Sequence, residues 1–410
     1  MEWEYRHSEN LVHSSSVSVG QNEFFVQLGP DFRLESDALI TTFRDDVRWK
    51  LNDRVQIRGG LDTEIITGGF GGRAPPPPRE GGDQGQSFGS RDIFDFDKDF
   101  EIYCPGLWTE FELKFFEDRL LLVPGVRADY DSRVAEISVD PRLTARWTLI
   151  PDWTVLKAGI GRYMQRPRGD ELDDQIGNPD LTYSRAVHSS LGLEQRLTPK
   201  LELDVVGFYQ KLLLLIGPEA QGSEALMLGS AGAPTFGNGG EGRIYGLETL
   251  LRWSGDENFF GWISYTLMRS ERLDPGAEDY RLFDFDQTHI FTILGSYKLT
   301  NVWEIGARWR YTTGIPQAMF AGSVFNSDLN TYEALYTPDR TARVDPFHQL
   351  DLRVERRWLY ETWILSAYFE LQNAYNRANQ EAQQYNFDFT ESKVVSGLPI
   401  IPSLGLRGTF

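Results

Sequence analysis

Three aspartates in the segment DFDKDFE, residues 95–101, stand at alternate positions, as the first ligands of a calcium loop do. Asp95, Asp97 and Asp99 could therefore supply carboxylate oxygens to a calcium ion. The position where such a loop needs glycine is Phe100, and its twelfth position is Gly106 rather than an acid. Alternating acids on one face of a strand explain the spacing better, so the sequence predicts a polar rim and no metal site.

A glycine-rich segment, GFGGRA at residues 69–74, has the spacing of a dinucleotide-binding turn. Such a turn must open a helix that presents backbone N–H groups to phosphate. Pro75–Pro78 follow at once, so no helix starts here and we reject a nucleotide site.

The histidines show no pairing of the i, i+4 kind that a metal site on one helix face would need. They are His7, His13, His188, His289 and His348. Barrel enzymes in membranes can use Ser, His and Asp, but no G-x-S-x-G elbow appears. We therefore predict no catalytic residue, no enzymatic activity and no cofactor.

An acidic segment could attract cations or a cationic ligand. It contains Asp170, Glu171, Asp173 and Asp174. A solvated hydrophilic loop is the favoured interpretation, because runs of like charge usually face water.

The composition excludes several classes of protein. The formal net charge of the 410 residues is −19, which leaves no basic stripe for nucleic acid. The longest aliphatic run, Leu212–Ile216, is far shorter than the roughly 20 residues of a membrane-spanning helix. Cys104 is the single cysteine, so an intrachain disulfide is impossible. No signal peptide is recognisable at the N-terminus.

Alternation of apolar and charged residues is the dominant pattern. In residues 347–357, FHQLDLRVERR, every second residue from Leu350 to Val354 is apolar and the residues between them are charged. Residues 302–311 and 54–65 alternate in the same way. A period of two with charges on the second face predicts half-buried β-strands.

Short and long connections alternate along the chain. The tight ones are Leu51–Asp53, Phe116–Asp118, Leu149–Asp152, Leu197–Pro199, Ser254–Asn258, Leu299–Asn301 and Trp358–Glu361. The long ones are 67–104, 164–185, 215–242, 270–287, 313–346 and 373–402, and a brief link near 131–137 is the exception. Seven tight turns join fourteen strands, the C-terminal strand is a fifteenth, and a weaker one near 5–18 makes sixteen. This arrangement is typical of an outer-membrane barrel.

Aromatic residues mark one rim. Eight of the eleven tryptophans lie in or near tight turns: Trp49, Trp147, Trp153, Trp253, Trp262, Trp303, Trp358 and Trp363. Tryptophan collects where membrane meets water, so this rim should lie at one headgroup layer. The terminal Phe410 should close the last strand there, and Leu404, Leu406 and Phe410 form a candidate C-terminal insertion signal.

Several segments together resemble the barrel of TonB-dependent outer-membrane receptors. They are RLLLVPGVRADYD (119–131), DPRLTARWTLIPDWTVLKAGIGRYMQRP (140–167), GNPDLTYSRAVHSSLGLEQRL (177–197), IYGLETLLRW (244–253), FDFDQTHIFTILGSYKL (283–299), RYTTGIPQ (310–317) and LGLRGTF. In the third segment Tyr183-Ser184 replaces the usual Pro-Glu. The resemblance covers residues 38–410, and the order and spacing of the segments make it specific.

The resemblance implies TonB-coupled uptake of a scarce, bulky solute across the outer membrane of a Gram-negative bacterium. Family barrels have about 22 strands and an N-terminal plug with a short box that engages TonB. Neither plug nor box is recognisable here, so we expect the C-terminal part of a receptor barrel. The expected fold is an all-β, antiparallel transmembrane barrel of fifteen or sixteen up-and-down strands, with short periplasmic turns and long extracellular loops. We expect one domain, 1–410, with 67–104 as a Gly/Pro-rich extracellular loop.

The charged strand faces would then line a hydrated lumen. The candidates are Arg54, Arg58, Asp62, Glu64, Glu202, Asp204, Arg308, Arg310, Asp351, Arg353 and Glu355. A purely structural role is the alternative, because inward polar residues also satisfy one another in any barrel.

The expected partners are outer-membrane lipid and lipopolysaccharide, the barrel-assembly machinery, and TonB only through a missing N-terminal region. Two other functions stay open. A barrel of sixteen strands is wide enough to be a passive, porin-like channel. A surface binding protein of sandwich type would also show alternating strands.

Overall fold

The computed structural model describes residues 1–29, 32–74, 93–174, 177–218, 236–254, 257–317, 320–327, 330–336 and 342–410. Throughout these ranges the regular structure consists of β-strands joined by turns. None of the described residues forms a helix that is long and apolar enough to cross a membrane.

The described part of the chain contains twenty-four strands. They are β1 (Glu2–Ser8), β2 (Leu11–Leu28), β3 (Phe32–Lys50), β4 (Val55–Ala74), β5 (Phe94–Phe115), β6 (Leu120–Asp131), β7 (Glu136–Ile150), β8 (Thr154–Gln165), β9 (Ser184–Thr198), β10 (Leu201–Pro218), β11 (Phe236–Trp253), β12 (Phe259–Leu273), β13 (Arg281–Leu282), β14 (His289–Lys298), β15 (Trp303–Thr312), β16 (Pro316–Gln317), β17 (Phe320–Asn326), β18 (Thr331–Tyr336), β19 (Ala342–Arg343), β20 (Phe347–Leu359), β21 (Ile364–Gln372), β22 (Gln380–Tyr385), β23 (Ser392–Ser396) and β24 (Ile401–Thr409).

One large antiparallel sheet contains eighteen of these strands. Seventeen of them form an up-and-down wall, in which β1 to β12 pair in chain order and continue through β14, β15, β20, β21 and β24. The eighteenth, β13, is a two-residue segment paired with β12. The hairpins β16–β19, β17–β18 and β22–β23 form three small sheets in the long connections. The all-β, up-and-down architecture is as predicted.

The weak strand predicted near residues 5–18 is in fact a hairpin, which raises the count to seventeen. Strands β1 and β2 are joined at residues 9–10, where the Ser8 hydroxyl accepts hydrogen bonds from the backbone N–H groups of Asn10 (3.2 Å) and Leu11 (3.1 Å). A serine side chain that bonds to the backbone in this way stabilises a turn without glycine or proline. The turn therefore lacks the glycine or proline that would have marked it most clearly in the sequence.

Six of the seven predicted tight turns are confirmed, and with the 9–10 turn they lie at one end of the wall, which we call the turn side. The seventh, Ser254–Asn258, joins β11 to β12 at the same end, and its residues 255–256 lie outside the described ranges. The brief link predicted near 131–137 joins β6 to β7 at residues 132–135, at the opposite end, the loop side. The predicted loop 67–104 is shorter than expected, because β4 continues to Ala74 and β5 begins at Phe94. Its residues 75–92 lie outside the described ranges.

Glycines explain why the end of β4 looked like a loop in the sequence. A Cβ at Gly68 or at Gly72 would collide with a backbone carbonyl oxygen of β3, that of Asp37 or of Arg33. Glycine is therefore needed there for the two strands to approach closely. The segment 69–74 lies within β4, so no helix follows it and the rejection of a nucleotide site stands.

The two faces of the wall differ as the alternation predicts. Along β20, Leu352 and Val354 are exposed, whereas Asp351 and Glu355 are each only 5% exposed. On β24, Leu404 is 83% exposed on the same side as Leu352. We call the side that carries Leu352, Val354 and Leu404 the apolar face, and the side that carries Asp351 and Glu355 the charged face.

The polarity of the faces reverses at the loop side of β3 to β5. The face that carries Arg58 and Asp62 near the turns carries Phe70 and Phe96 near the loops, where they form a small hydrophobic cluster. The opposite face is acidic at this level. Its acids on β3 and β5 are Glu35, Asp37, Asp95, Asp97, Asp99 and Glu101. The apolar band that could meet lipid therefore ends on the turn side of these acidic residues.

Candidate functional site: the charged face and its loop-side rim

The residues predicted to line a lumen can be located one by one. Ten of the eleven lie in strands on the charged face, and Arg54 lies in the turn that precedes β4. Nine of those ten form ion pairs within the described residues. Arg310 instead places its guanidinium 5.6 Å from the ring centre of Phe347.

One of these contacts joins β4 to β6 through paired hydrogen bonds. The Arg127 guanidinium donates to both carboxylate oxygens of Asp62, at 2.7 and 2.9 Å, and to both of Asp129, at 2.6 and 2.7 Å. Between them on β5 lies Gly106, where a Cβ would be 2.7 Å from an Asp129 oxygen and 2.9 Å from an Asp62 oxygen. Glycine at this position leaves room for the guanidinium to bridge two strands.

Further ion pairs connect the middle strands. The Lys157 ammonium bridges Asp204 (2.7 Å) and Glu194 (3.1 Å), which lie on neighbouring strands. Closer to the turns, Glu202 accepts a hydrogen bond from Arg252 at 2.6 Å. These pairs bind β8, β9, β10 and β11 through side chains as well as through the backbone.

The C-terminal strands carry a similar series. Arg308 donates to Asp351 at 2.7 Å, and Glu355 accepts from both Arg353 (2.8 Å) and Arg357 (3.0 Å). The Arg353 guanidinium also lies 3.9 Å from the ring centre of Tyr368 on the next strand. The charged face is therefore a cross-linked network, with cations and anions alternating.

A buried cluster closes the loop side of β5 to β9. Asp131 is fully buried and accepts hydrogen bonds from Arg133 at 2.7 and 3.1 Å. Tyr183, also fully buried, donates its hydroxyl to the Glu136 carbonyl at 2.9 Å. Burial raises the pKa of the Tyr183 phenol to about 12, so it stays a donor. Cys104 is free and buried, and its Sγ lies 3.6 Å from a carboxylate oxygen of Asp131.

These cluster residues were missed from the sequence, although a signal was present. In RADYD, Arg127, Asp129 and Asp131 alternate like the charged residues selected on other strands. The buried Tyr183 gave no such signal, because its burial depends on where the long connection before β9 folds back.

The acidic segment at 170–174 folds against the wall. Asp173 accepts a hydrogen bond from Lys98 of β5 at 2.6 Å, and Asp174 contacts the same ammonium group. Two of its carboxylates therefore bind a cation of the chain itself. Across the described part of the chain, no group of three or more His, Cys, Asp or Glu side chains is arranged to hold a metal ion.

Aromatic side chains join two of the small hairpins at the loop side. Phe320 of β17 lies 5.0 Å from Tyr385 of β22 and 5.9 Å from Phe389, measured between ring centres. Phe387, in the turn between β22 and β23, is 81% exposed and contacts Tyr332 of β18. The two hairpins form one unit that presents aromatic surface to the solvent.

Phe and Asp also alternate in residues 283–286, which form a turn before β14. Asp286 is fully buried and accepts a hydrogen bond from Arg343 at 2.5 Å, while Phe285 is 67% exposed. Arg343 also donates to the Gly314 carbonyl at 2.8 Å. Through these contacts Arg343 joins the connection before β14 to the connection after β15, at the loop-side end of β14.

A cluster of serine, histidine and aspartate does occur, but on the apolar face. Nε2 of His13 lies 2.6 Å from Asp45 and 3.3 Å from the Ser15 hydroxyl, which itself donates to Asp45 at 2.5 Å. A catalytic triad needs two different ring nitrogens, one for the acid and one for the nucleophile. Here one nitrogen contacts both, so the geometry does not activate Ser15.

The sequence matches the family model described as "TonB dependent receptor-like, beta-barrel" over residues 2–374. The chain belongs to this family. As a TonB-dependent receptor-like barrel, it is an integral β-barrel of the outer membrane of Gram-negative bacteria, as the sequence predicted. The short turns are then periplasmic and the long loops extracellular.

Solved receptors have the same fold at low sequence identity. The ferric-catecholate import receptor Fiu from Escherichia coli K12 is 11% identical, with a TM-score of 0.69 over 99% of this chain and 63% of its own. The ferric preacinetobactin receptor BauA from Acinetobacter baumannii is 13% identical, with a TM-score of 0.68 over 99% of this chain and 61% of its own. FpvA from Pseudomonas aeruginosa, bound to heterologous pyoverdines, is 12% identical, with a TM-score of 0.67 over 100% of this chain and 55% of its own.

The chain therefore spans about three-fifths of the length of these receptors. No curated protein sequence matches it. The family consists of receptors and transporters that work with TonB, which agrees with the predicted class of protein.

Proposed function

We propose that this TonB-dependent receptor-like barrel takes up a scarce, bulky solute across the outer membrane, with energy supplied through TonB. The observation that carries the proposal is the seventeen-strand wall itself. It has an exposed apolar face and a cross-linked charged face, and it matches metal-chelate receptors over almost its whole length.

The charged face would line the hydrated path. Its ion pairs, such as Arg308–Asp351 and Lys157–Asp204, satisfy one another, so a passing solute meets charges that are already paired. Such a surface suits a solute that must move without being trapped. We assign Arg54, at the turn side, to the periplasmic mouth of this path.

The loop side would capture the solute. The exposed aromatic unit built by β17, β18, β22 and β23 offers flat, apolar contact area together with the nearby charged rim. Flat aromatic rings suit the planar groups of an iron chelator. By likeness to receptors for ferric catecholate, pyoverdine and preacinetobactin, we propose an iron chelate as the solute class.

Uptake by living cells tests the proposal. The natural gene would be expressed in a Gram-negative host that lacks its own chelate receptors, with and without TonB. Cells would receive radiolabelled iron as catecholate, hydroxamate or citrate chelates. Saturable accumulation of at least one chelate, only when TonB is present, is the expected result.

The alternatives predict different results. A passive channel would admit every small chelate equally, without saturation and without TonB. A surface binding protein would hold the label on the cell exterior, where excess unlabelled chelate would remove it. Hydrolysis of the chelate in the medium would show that the protein is an enzyme, which neither the His13 cluster nor the family favours.

A further inference from the structure

One cluster on the charged face differs from the ion-pair network around it. Tyr163, near the loop-side end of β8, lies between Arg142 of β7 and His188 of β9. The guanidinium carbon of Arg142 is 4.6 Å from the centre of the Tyr163 ring. The centre of the His188 ring is also 4.6 Å from it, with the two planes 32° apart. The strand register places all three side chains on the face that carries Lys157.

The three side chains have unused hydrogen-bonding groups. Within the described residues, the side chains of Arg142, Tyr163 and His188 form no hydrogen bond and no ion pair. Lys157, on the same strand as Tyr163, instead bridges two carboxylates. The five N–H donors of the Arg142 guanidinium are therefore available to a solute, and no described carboxylate pairs with its charge.

Glycines keep the approach to Arg142 open. Arg142 pairs with Gly125 of β6 on one side and with Gly161 of β8 on the other. Neither neighbour has a side chain that could cover the guanidinium, and Arg142 is exposed. A Cβ at Gly161 would lie 3.1 Å from the phenol oxygen of Tyr163 and 3.1 Å from Cγ of Arg142. Glycine at this position therefore leaves room for the phenol beside the Arg142 side chain.

The available donors favour a carboxylate over an aromatic group. A guanidinium and a carboxylate are both planar and can form two parallel hydrogen bonds. The Tyr163 hydroxyl and the His188 ring can donate further hydrogen bonds to the same group. Because β7 and β9 lie on opposite sides of β8, Arg142 and His188 reach the Tyr163 ring from opposite sides. The ring therefore offers its hydroxyl, and not an open face on which a flat solute could stack.

We propose that Arg142, Tyr163 and His188 form a subsite for a free carboxylate of the transported iron chelate. Arg142 binds the carboxylate through two hydrogen bonds, and the Tyr163 hydroxyl donates a third. A citrate chelate of iron carries carboxylate groups, whereas a trihydroxamate chelate carries none. The subsite thus narrows the solute to chelates that bear carboxylates. This proposal rests on the uptake of an iron chelate proposed above.

Calorimetric titration of the natural protein in detergent tests the subsite apart from transport. The titrants are the ferric citrate chelate and, separately, a ferric trihydroxamate chelate. Arg142→Gln should weaken binding of the citrate chelate about tenfold, and Tyr163→Phe, which keeps the ring, about threefold. Arg142→Lys should restore binding only in part, because an ammonium group cannot form the paired hydrogen bonds. Any binding of the trihydroxamate chelate should be equal in all variants.

A matched control removes a positive charge from the other face. Arg356→Gln, on the apolar face between Trp303 and Trp358, should bind the citrate chelate normally. Since Arg142 has no ion pair with a described residue, Arg142→Gln should fold normally, which the gel shift between heated and unheated samples checks. Absence of citrate-chelate binding, or equally tight binding by Arg142→Gln and the unsubstituted protein, would overturn the subsite.

Uptake by cells separates the subsite from the proposed function. TonB-dependent accumulation of a chelate that is the same with and without Arg142→Gln would refute the subsite and leave the proposed function intact. Binding of the citrate chelate that depends on Arg142, without TonB-dependent accumulation of any chelate, would support the carboxylate subsite and refute the proposed function.

Discussion

Arg127 and Asp62 are joined by two hydrogen bonds, 2.7 and 2.9 Å long, that pass over the strand between them. Strand β5 lies in between, and Gly106 is its residue under the contact. A paired guanidinium and carboxylate in this geometry is among the stronger hydrogen-bonded contacts in proteins. The contact therefore makes three strands of the charged face one mechanical unit.

The first prediction concerns the glycine. Gly106→Ala puts a methyl group where the Arg127 guanidinium lies, so the contact must open. We expect a loss of about 1–3 kcal/mol in the free energy of unfolding, measured by urea titration in lipid vesicles. Gly20→Ala, where a Cβ meets nothing within 4 Å, is the control and should change stability by less than about 0.5 kcal/mol. Equal changes in the free energy of unfolding for both substitutions would show that the Arg127–Asp62 contact does not stabilise the fold.

The second prediction concerns the two faces. In a Cys104→Ser background, Arg353→Cys on the charged face should react with a small water-soluble thiol reagent in vesicles. Leu352→Cys on the apolar face should be protected by lipid. Asp204→Cys and Val205→Cys provide a second matched pair on β10. Faster labelling of the leucine and valine positions would contradict the assignment of the charged face to a hydrated path.

The third prediction is a pH dependence in the 166–183 connection. The hydrogen bond from Lys98 holds the pKa of the Asp174 carboxyl below its ordinary value. The ion pair therefore stabilises the connection at neutral pH, and this stabilisation is lost as the pH falls below about 4 and the carboxylate is protonated.

Hydrogen exchange measures this effect directly. After correction for intrinsic rates, amides of residues 168–174 should be protected at neutral pH and exchange faster in acid. In Lys98→Gln they should exchange fast at both pH values. Lys50→Gln, which removes an ion pair with Asp53 at the turn side, should leave them unchanged. A connection that is equally protected in acid would refute the role of Lys98.

The fourth prediction concerns the terminal residue. Phe410 stacks on Trp363 with ring centres 5.7 Å apart and planes 11° apart, and it is otherwise exposed. Phe410→Ala should lower the folded fraction in the outer membrane several-fold, and Phe410→Tyr should restore it. The folded fraction is read by the gel shift between heated and unheated samples.

Trp363→Ala separates an insertion signal from simple packing. It removes the stacking partner and leaves the terminal aromatic in place. If Phe410 acts as a signal, Trp363→Ala assembles normally. If both substitutions reduce assembly equally, packing at the turn side is sufficient to explain Phe410.

The fifth prediction concerns the loop-side aromatic unit. Phe389→Ala removes ring contacts with Phe320 and Tyr385, each worth about 0.5–1.5 kcal/mol beyond burial. The hairpins should separate, and hydrogen exchange in β17 and β22 should increase. Phe387→Ala, at an exposed position, should leave that exchange unchanged while weakening chelate uptake. Normal uptake by both variants would show that the aromatic unit takes no part in capturing the chelate.

Much of the architecture followed from local patterns. Alternation around Leu352 and Arg353 predicted the two faces, and the six predicted tight turns that lie wholly within the described residues are confirmed. The hairpin at 9–10 is not evident from the sequence because Ser8 stabilises it without glycine or proline. The strand ends at Gly68–Ala74 and Phe94–Cys104 look like loop in the sequence because the polarity of the two faces reverses there.

The sequence by itself determined which residues share a face, because side chains alternate along any strand with a period of two. It also determined where most strands end, since turn residues act locally. Only the tertiary structure decided which charges meet. Arg127 and Asp62 are 65 positions apart, and their contact depends on the register of two ladders and on the absence of a side chain at Gly106.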